Sequence, residues 1–309
     1  MIKYFYRNLQ SPRMTESDKI KRGVWVIAEK PSDKEVATLV KKLHLEVGHI
    51  EDALDEDEMP RLEREGNQSY IFVRYPFKTS DGDMDTAPLL VMVSEDNLLT
   101  VSKYPIKAFD KFVSGKNSVI TTQRTKLLLL ILAEISQAYE NQLRITTRRI
   151  KQIRTRLRNQ KITNQDLIDF VLLEDELNEF LASLLPNNAT LRRLLAGRYI
   201  PLFEEDQDLV EDLLLINDQS IEAIRANLRS IDNIRNAHTA ISSNNLNKTI
   251  TFLTLATIMV ALPNVFFGMY GMNVSLPFQH NHWVFIALII VNITLIGTIL
   301  GFAKKKNLI

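Results

Sequence analysis

The sequence contains no cysteine, and this absence excludes several kinds of site at once. Without cysteine the chain has no disulfide framework, no thiolate metal ligands and no thiol nucleophile. It also lacks the phosphate-loop pattern Gly-x-x-x-x-Gly-Lys-Ser/Thr, the zinc-protease pattern His-Glu-x-x-His and the hydrolase pattern Gly-x-Ser-x-Gly. These absences predict a protein that is not an enzyme, is not driven by ATP and holds no organic cofactor.

Charge is absent from a long C-terminal stretch. Between Lys248 and Lys304 there is no Asp, Glu, Lys or Arg. The stretch holds two apolar segments, residues 249–270 and 283–303, and a hydrocarbon core needs about 20 helical residues to cross. We therefore predict two transmembrane helices joined by a short loop, 271–282. The lipid bilayer is the expected surroundings of this part of the chain.

The positions of the positive charges predict how these helices are oriented. Lys248 precedes the first helix and three lysines lie in the tail 304–309, whereas the loop 271–282 has no Lys or Arg. Positive residues stay on the cytoplasmic side of a membrane. The N-terminus also lacks the apolar core of a signal peptide. We expect a multi-pass protein of the cell membrane with both termini in the cytoplasm and the loop outside.

Residues 1–120 have the pattern of a cytoplasmic α/β domain. Short β-prone runs alternate with helical ones, which predicts a mixed sheet covered by helices. The run Ser32-Asp33-Lys34-Glu35 is a capping box that begins a helix ending near Leu43. A second helix is expected around residues 50–54. Hairpins are expected at residues 61–76, around Gly66-Asn67, and at residues 89–101.

Residues 121–200 change to a helical period and predict an antiparallel helical hairpin. The second helix should begin at Thr163 and Asp166 and end before Pro186. The far end of the first helix is basic, from Arg148 to Arg158. We interpret this stretch as a solvated or paired face rather than a nucleic-acid site, so no nucleic-acid partner is predicted.

Glycine and proline are both absent from Leu202 to Leu262. An apolar seam with spacings of three and four runs through this stretch from Ile221 to Ile241. We predict one helix of about 60 residues, or about 90 Å, whose part 201–248 forms a stalk below the membrane. An uninterrupted helix of that length rarely stands alone, which predicts a homo-oligomer.

One face of the first membrane helix is small or polar at several depths, which is unsuited to lipid. The opposite face carries Phe252, Leu255, Met259 and Phe266, which suit lipid or the second helix. Copies ringed with the first face inward would form a pore, whose apolar positions near the cytoplasmic end can block ions by staying dry. The predicted pore-lining residues are Asn247, Ile250, Leu253 (or Thr254), Thr257, Ala261 and Asn264.

The tetrapeptide Tyr270-Gly271-Met272-Asn273 closes this helix. In that place, between two C-terminal membrane helices and after a long polar helical region, it resembles the CorA family of magnesium channels. Asn247, Leu253-Thr254, Pro263 and the lysine-rich end add to the resemblance. The resemblance implies a CorA-like funnel: an α/β cytoplasmic domain, a long helical stalk and two transmembrane helices, assembled as a homopentamer.

The resemblance also implies an ion and its sites. Gly271, Met272 and Asn273 would form the selectivity filter, where amide oxygens can accept hydrogen bonds from the tightly held waters of Mg²⁺. Intracellular Mg²⁺ would bind between subunits and hold the channel shut. Influx of the ion would be driven by the membrane potential. Glu51-Asp52 and Asp212 match the acidic residues of that regulatory site, although such an acidic cluster is also typical of a solvated face.

The loop departs from the family pattern because no acid follows Gly-Met-Asn in residues 274–280. His280 and His282 lie in or beside it, and histidine favours zinc, cobalt or nickel over magnesium. A zinc, cobalt or nickel transporter of the same superfamily, with or without proton coupling, is therefore one alternative. A non-conducting membrane-anchored sensor or scaffold is another, and its anchor would need no polar face.

Overall fold

The fold is described from a computed structural model, which covers residues 1–11, 13–114, 119–159, 162–278 and 281–305. The loop histidine His280 and the tail residues 306–309, among them Lys306, lie outside the described residues. The chain divides into two compact units, Met1–Asn233 and Ile234–Ile309. Unit 1 contains every strand of the described chain, and unit 2 contains the two apolar segments.

Unit 1 is built on a seven-stranded mixed sheet with the order β2-β1-β3-β7-β6-β5-β4. Strands β3 and β7 are parallel, and every other neighbouring pair is antiparallel. The predicted mixed sheet and both predicted hairpins are confirmed. The strands are β1 Ile2–Tyr6, β2 Thr15–Glu16, β3 Val24–Glu29, β4 Arg61–Glu65, β5 Gln68–Lys78, β6 Met84–Val93 and β7 Leu98–Ser102.

Seven helices accompany the sheet within the described residues. The predicted α1 is confirmed, and the backbone N–H of Ser32 donates to Glu35 Oε2 at 2.8 Å as a capping box requires. The short strand β2 and the helix α3 were not predicted. The helices are α1 Asp33–Leu43, α2 Val47–Asp52, α3 Lys107–Val113, α4 Arg124–Arg158, α5 Asn164–Leu195, α6 Glu204–Tyr270 and α7 Trp283–Lys305.

Both faces of the sheet are buried, which explains the nearly continuous apolar runs of its central strands. One face packs against α1 and α2 around Leu39 and Ile50. On the other face Trp25 is 0 % exposed and contacts the α3 rings of Phe109 and Phe112 at centroid distances of 5.1 and 6.0 Å. The Trp25 indole N–H donates to Thr100 Oγ1 at 3.2 Å, so its polar atom is satisfied.

The prediction that the second helix of the hairpin ends before Pro186 is wrong, because α5 continues through Pro186 to Leu195. Asn187, the residue after the proline, explains why the helix continues. The buried Asn187 amide accepts from Arg74 N at 2.9 Å and donates to Arg74 O at 2.9 Å. Strand β4 begins at Arg61, opposite Phe72, so β5 has no strand neighbour on that side at Arg74. Tertiary contacts beyond the proline thus hold the helix together.

This arrangement predicts that Asn187→Ala destabilises unit 1 by about 1–3 kcal/mol, because the buried N–H of Arg74 loses its partner. The carbonyl of Arg74 keeps the Tyr139 hydroxyl, which donates to it at 3.1 Å. Thermal unfolding of the full chain in detergent would measure the loss. A Trp283→Phe background leaves Trp25 as the single tryptophan reporter in unit 1.

Asn178→Ala serves as the matched control, because Asn178 is an exposed asparagine on the same helix. It should leave the midpoint of the Trp25 transition almost unchanged. If both variants shift that midpoint equally, the Asn187 amide does not support the uncovered part of β5.

The long helix is confirmed: α6 is one helix of 67 residues that runs through Pro263. In unit 1 its seam is buried at Ile221, Ile224 and Ile231. In unit 2 the seam is still buried at Ile234, whereas every residue from 241 to 250 is exposed in the single chain. The apolar parts of α6 and α7 are long enough and apolar enough to cross a membrane.

Candidate ion pathway and acidic site

The tripeptide Gly271-Met272-Asn273 lies where α6 ends. The Gly271 N–H donates to Phe267 O at 3.0 Å and to Gly268 O at 3.2 Å, which closes the last turn. Gly271 is not among the residues with positive φ. A Cβ at this position would instead lie 3.3 Å from the Phe267 carbonyl oxygen, a tight contact with backbone. That oxygen is the i−4 partner of the Gly271 N–H, so the contact follows from helical geometry, and neither it nor a left-handed conformation requires glycine here.

Met272 and Asn273 are both exposed in the turn that follows. The Met272 N–H still donates to Met269 O, at 3.3 Å. The Tyr270 hydroxyl donates to Pro277 O at 3.3 Å and so ties the last residue of α6 to the loop. The loop that carries Asn273 is thus held to the end of α6.

The six predicted pore-lining residues are all exposed in the single chain, including the apolar Ile250 at 51 % and Leu253 at 57 %. A second row of α6 is half-buried and lies on roughly the opposite side of the helix, at about 100° per residue. Leu255, Met259 and Phe266 of the predicted opposite face belong to it, whereas Phe252 is exposed. The half-buried row is Thr251, Leu255, Met259, Leu262, Phe266 and Tyr270.

Helix α7 has a matching covered row at spacings of three and four. It includes Leu288, Asn292 and Ala303, of which Asn292 is only 4 % exposed. Residues from both helices line a cleft at the end of unit 2, among them Phe267 on α6, His282 beside α7 and Leu288. The half-buried row of α6 is thus its α7 side. The exposed row is left over after α6 and α7 have packed.

The polar pore-face residue Thr257 is satisfied within its own helix. Its hydroxyl donates to Leu253 O at 2.9 Å, as threonines in membrane helices commonly do. His282 lines the α6–α7 cleft, and no group of three or more His, Asp or Glu suited to a metal occurs among the described residues.

The acidic candidates Glu51, Asp52 and Asp212 all lie in unit 1. Glu51 and Asp212 are exposed, and Asp52 is partly buried at the end of α2. Within the described chain, no hydrogen bond or ion pair joins Asp212 to Glu51 or Asp52. A single subunit therefore does not bring these carboxylates together into one site.

Arg61 is already paired with Asp52 within the single chain, together with two other carboxylates. Its Nη2 lies 2.6 Å from Asp52 Oδ2 and its Nε lies 2.6 Å from Glu63 Oε1, while Nη1 contacts Glu58. The guanidinium also stacks 4.0 Å from the centre of the Phe72 ring. Burial disfavours the Arg61 charge, but the hydrogen bonds to Glu63, Asp52 and Glu58 outweigh it and raise its pKa.

Sequence reasoning missed Arg61. One feature of the sequence could have indicated it: Arg61 comes three residues after Glu58 and begins a predicted strand directly after a run of acidic residues. Because the pairing partners come from α2, the loop and β4, only the fold shows that this arginine faces the acidic cluster. A cation that binds Asp52 has to compete with Arg61.

The family described as CorA-like Mg²⁺ transporter protein matches residues 21–305. The cobalt/magnesium transport protein CorA of Methanocaldococcus jannaschii is 28 % identical over 281 residues, covering 87 % of each chain. The complete structure of CorA from that organism superposes with a TM-score of 0.88 at 24 % identity, covering 100 % of this chain and 99 % of the other. The ZntB cytoplasmic domain from Vibrio parahaemolyticus gives 0.64 at 11 % identity, covering 78 % of this chain and 98 % of that one.

These comparisons confirm two predictions, the family resemblance and the architecture of an α/β domain, a long helix and two C-terminal apolar helices. The family is one of ion transporters rather than enzymes. A match that spans nearly the whole sequence, together with Gly-Met-Asn at the end of α6, settles the classification. The chain belongs to the CorA-like Mg²⁺ transporter family.

Proposed function

We propose that this chain is the subunit of a homopentameric channel for divalent cations, with Mg²⁺ as the main ion. The observation that carries the proposal is the exposed row of α6. Six residues chosen for their fit to a pore are exposed, and they lie away from the row that α7 covers. The row includes the polar residues Asn247, Thr257 and Asn264, and polar side chains inside a membrane face other helices or water. Copies packed around an axis would turn this row toward one another.

The proposed filter is a ring of Asn273 side chains, one from each subunit, with Gly271 and Met272 shaping the turn. Mg²⁺ keeps its waters, so the amide oxygens would accept hydrogen bonds from the hydrated ion rather than bind the metal directly. Ile250 and Leu253 would form an apolar constriction that closes by drying. The driving force is the membrane potential, since a dication gains about 4.6 kcal/mol across 100 mV.

The proposed topology places residues 249–270 and 283–303 across the cell membrane. The loop 271–282 lies outside, and the tail 304–309 and the N-terminus lie in the cytoplasm. This orientation is supported by the lysines that flank the apolar segments and by the uncharged loop. The cytoplasmic part divides into the α/β domain 1–120, the helical hairpin 121–200 and the stalk 201–248.

Ion uptake into liposomes that contain only the full-length chain tests the proposal. An inside-negative potential is imposed without a pH gradient, and Mg²⁺ and then Zn²⁺ are offered at equal activity. Mg²⁺ entry driven by voltage alone is the expected result. The absence of flux for either ion, with the protein shown to be inserted, would instead favour the non-conducting sensor or scaffold.

A transporter for zinc, cobalt or nickel is the second candidate. It is favoured by the acid-free residues 274–278 and by His282 beside the helix end. The fold is also similar to that of the ZntB cytoplasmic domain, and the archaeal relative is described as a cobalt/magnesium transport protein. Both similarities support this candidate. Zn²⁺ entry that appears only when a proton gradient is added would establish this candidate over the Mg²⁺ channel.

We further propose that Mg²⁺ regulates the channel by binding between subunits at Asp212 and the Glu51-Asp52 pair. Support comes from the exposure of Asp212 and Glu51, which leaves both free to face a neighbouring copy. Facing carboxylates repel one another, so a bound dication would hold adjacent subunits together. Its loss would loosen the ring, which is a shift of population driven by a ligand. Because Arg61 holds Asp52, we assign the main role to Asp212.

We expect Asp212→Ala to weaken the protection that Mg²⁺ gives against proteolysis of the cytoplasmic part. The reason is that each subunit interface would lose a carboxylate ligand. Cleavage is followed on the full chain in detergent while Mg²⁺ is titrated, and the midpoint should rise about tenfold, the loss of about 1.4 kcal/mol of binding. Asp208→Ala, an exposed acid one turn earlier on α6, is the control. Equal midpoints for Asp212→Ala and the parent would remove Asp212 from the site.

A further inference from the structure

One aromatic residue of unit 1 lies in solvent just before α6. Phe203 is 79 % exposed, whereas every other phenylalanine and tryptophan in the described part of unit 1 is buried or half-buried. The Phe203 N–H donates to Asp206 Oδ2 at 3.3 Å, and the Asp206 N–H donates to Phe203 O at 3.0 Å. Asp206 is buried, so these two bonds fix the backbone that carries the exposed ring.

Two acidic residues follow this ring directly. Glu204 and Glu205 are exposed, and their side chains make no hydrogen bond or ion pair within the described chain. Acids in the first turn of a helix stabilise its positive end. That role explains the charges but not the phenylalanine, because an apolar ring in water gains nothing from a helix N-terminus. We name Phe203, Glu204 and Glu205 the acidic-aromatic segment.

A groove elsewhere on unit 1 is mainly apolar. It has a volume of about 340 Å³ and lies where the end of β5 and the start of β6 meet α3 and α4. The rings of Phe77 and Tyr104 form part of its wall, stacked with their centroids 4.2 Å apart, and both are half-buried. Met84 and Ile106 extend the wall, and none of the lining residues comes from α6. We name this feature the apolar groove.

Two lysines border the apolar groove, Lys78 at the end of β5 and Lys107 at the start of α3. Both are exposed, and neither side chain makes a hydrogen bond or ion pair in the part of the chain that the structure describes. Lys78 also borders a neighbouring cleft that contains Asp85, but no ion pair joins the two. Glu134, the one acid that lines the groove, is paired with Lys111 at 2.6 Å. The groove thus offers positive charge beside an apolar wall.

We propose that the acidic-aromatic segment of one copy of this chain docks in the apolar groove of the next copy. The phenylalanine ring of the segment packs against the stacked aromatic pair, and its two carboxylates face the two lysines. An aromatic side chain that fills a pocket is a common anchor of protein interfaces. Each copy carries both surfaces at different places, so the contact is heterologous, and heterologous contacts generate rings.

The inference rests on the proposed ring of copies and names two surfaces that join neighbouring subunits. It agrees with the proposed Mg²⁺ site, because both place the first turns of α6 against the α/β domain of a neighbour. The Tyr104 hydroxyl of the groove donates to Glu56 Oε1 at 2.5 Å, and Glu56 belongs to the loop that follows Asp52. On α6, Asp212 lies about 14 Å beyond Phe203 at 1.5 Å per residue.

Photo-crosslinking of the full-length chain in detergent tests this contact. The photoreactive analogue p-benzoylphenylalanine replaces Phe203, keeps an aromatic ring and bonds to nearby C–H groups on irradiation. A covalent dimer is expected on a denaturing gel, and mass spectrometry should place the bond in the groove, for example at Met84. The same analogue at Leu9, which is 75 % exposed in unit 1, is the control and should give no bond to the groove. Light scattering measures the number of copies in each sample.

Charge reversal tests the electrostatic part of the contact in the chain that carries the analogue. Lys78→Glu/Lys107→Glu should reduce the yield of covalent dimer about tenfold, because like charges would then face one another. Adding Glu204→Lys/Glu205→Lys to that chain should restore the yield, which a merely misfolded variant would not do.

The matched control is Lys41→Glu/Lys42→Glu, which reverses the same charge at exposed positions on α1. Its yield of covalent dimer should equal that of the chain with the analogue alone. An equal loss in this control would show that the groove lysines have no special part in the contact, and a loss in the groove variant without restoration would show the same.

The size of the particle separates this proposal from the ring itself. If light scattering shows an oligomer but the analogue at position 203 gives no bond to the groove of another copy, the groove has a different occupant and the docking contact is overturned while the ring stands. A chain that is monomeric both in detergent and in lipid nanodiscs would overturn the ring and the docking contact together.

Discussion

Asn273→Ala is expected to reduce Mg²⁺ flux into liposomes by a factor of about ten to a hundred. Each subunit would lose the amide oxygen proposed to accept a hydrogen bond from the hydrated ion. A hydrogen bond to a charged group contributes about 1.5–3 kcal/mol, and each 1.4 kcal/mol is a factor of ten. Since Asn273 is exposed beyond the last residue of α6, its truncation removes no packing that holds α6 and α7 together. The variant should therefore assemble normally.

Ser275→Ala is the control for this variant, because Ser275 is an exposed polar residue two positions further along the same loop. Its flux should equal that of the parent. Size-exclusion chromatography checks that both variants assemble as the parent does. Unchanged flux in Asn273→Ala would mean that the side-chain amide is not the filter. The backbone carbonyls of residues 271–273 would then become the leading candidates for first capture of the ion.

Most of the fold could be predicted because its elements follow local rules. The capping box at Ser32, the turn at Gly66-Asn67 and the lack of helix breakers from 202 to 262 each determine an element without knowledge of its neighbours. The error at Pro186 has the opposite origin. The helix survives there because Asn187 binds the backbone of Arg74, a residue more than a hundred positions earlier in the chain. A local rule cannot include such a contact.

The candidate sites differ in the same way, since one follows from local spacing and the other depends on tertiary contacts. The row proposed to line a pore was chosen from helical spacing, and its six residues lie on one side of α6 and are exposed in the single chain. That this row lines a pore stays a prediction. The pairing of the acidic cluster with Arg61 was not predictable. Asp52 and Glu58 meet Arg61 only after β4 has paired with β5 and α2 has packed on the sheet. Carboxylates that look free in a sequence can thus be paired with an arginine on a strand that follows them.

Arg74→Met is expected to destabilise unit 1 by about 3–5 kcal/mol, since it breaks a buried ionic network. Arg74 is 8 % exposed, and its guanidinium donates to Glu56 O at 2.7 Å, Glu58 O at 3.0 Å and Thr86 O at 2.8 Å. It also lies 3.4 Å from the Glu179 carboxylate of α5. Methionine fills similar space but leaves these acceptors without a donor, and a buried unsatisfied group costs its full desolvation.

For a unit of this size, such a loss lowers the midpoint of the Trp25 fluorescence transition by about 2–4 °C per kcal/mol, or about 6–20 °C in total. Arg64→Met, which removes an exposed arginine from β4, should shift it by no more than about 2 °C. Because Arg74 holds the carbonyls of Glu56 and Glu58, its loss should also loosen the acidic loop, residues 55–60, below the melting temperature. Proteolysis within residues 55–60 should then become faster in Arg74→Met and not in Arg64→Met. Similar midpoints and similar cleavage in both variants would show that the Arg74 network does not hold the loop to the sheet.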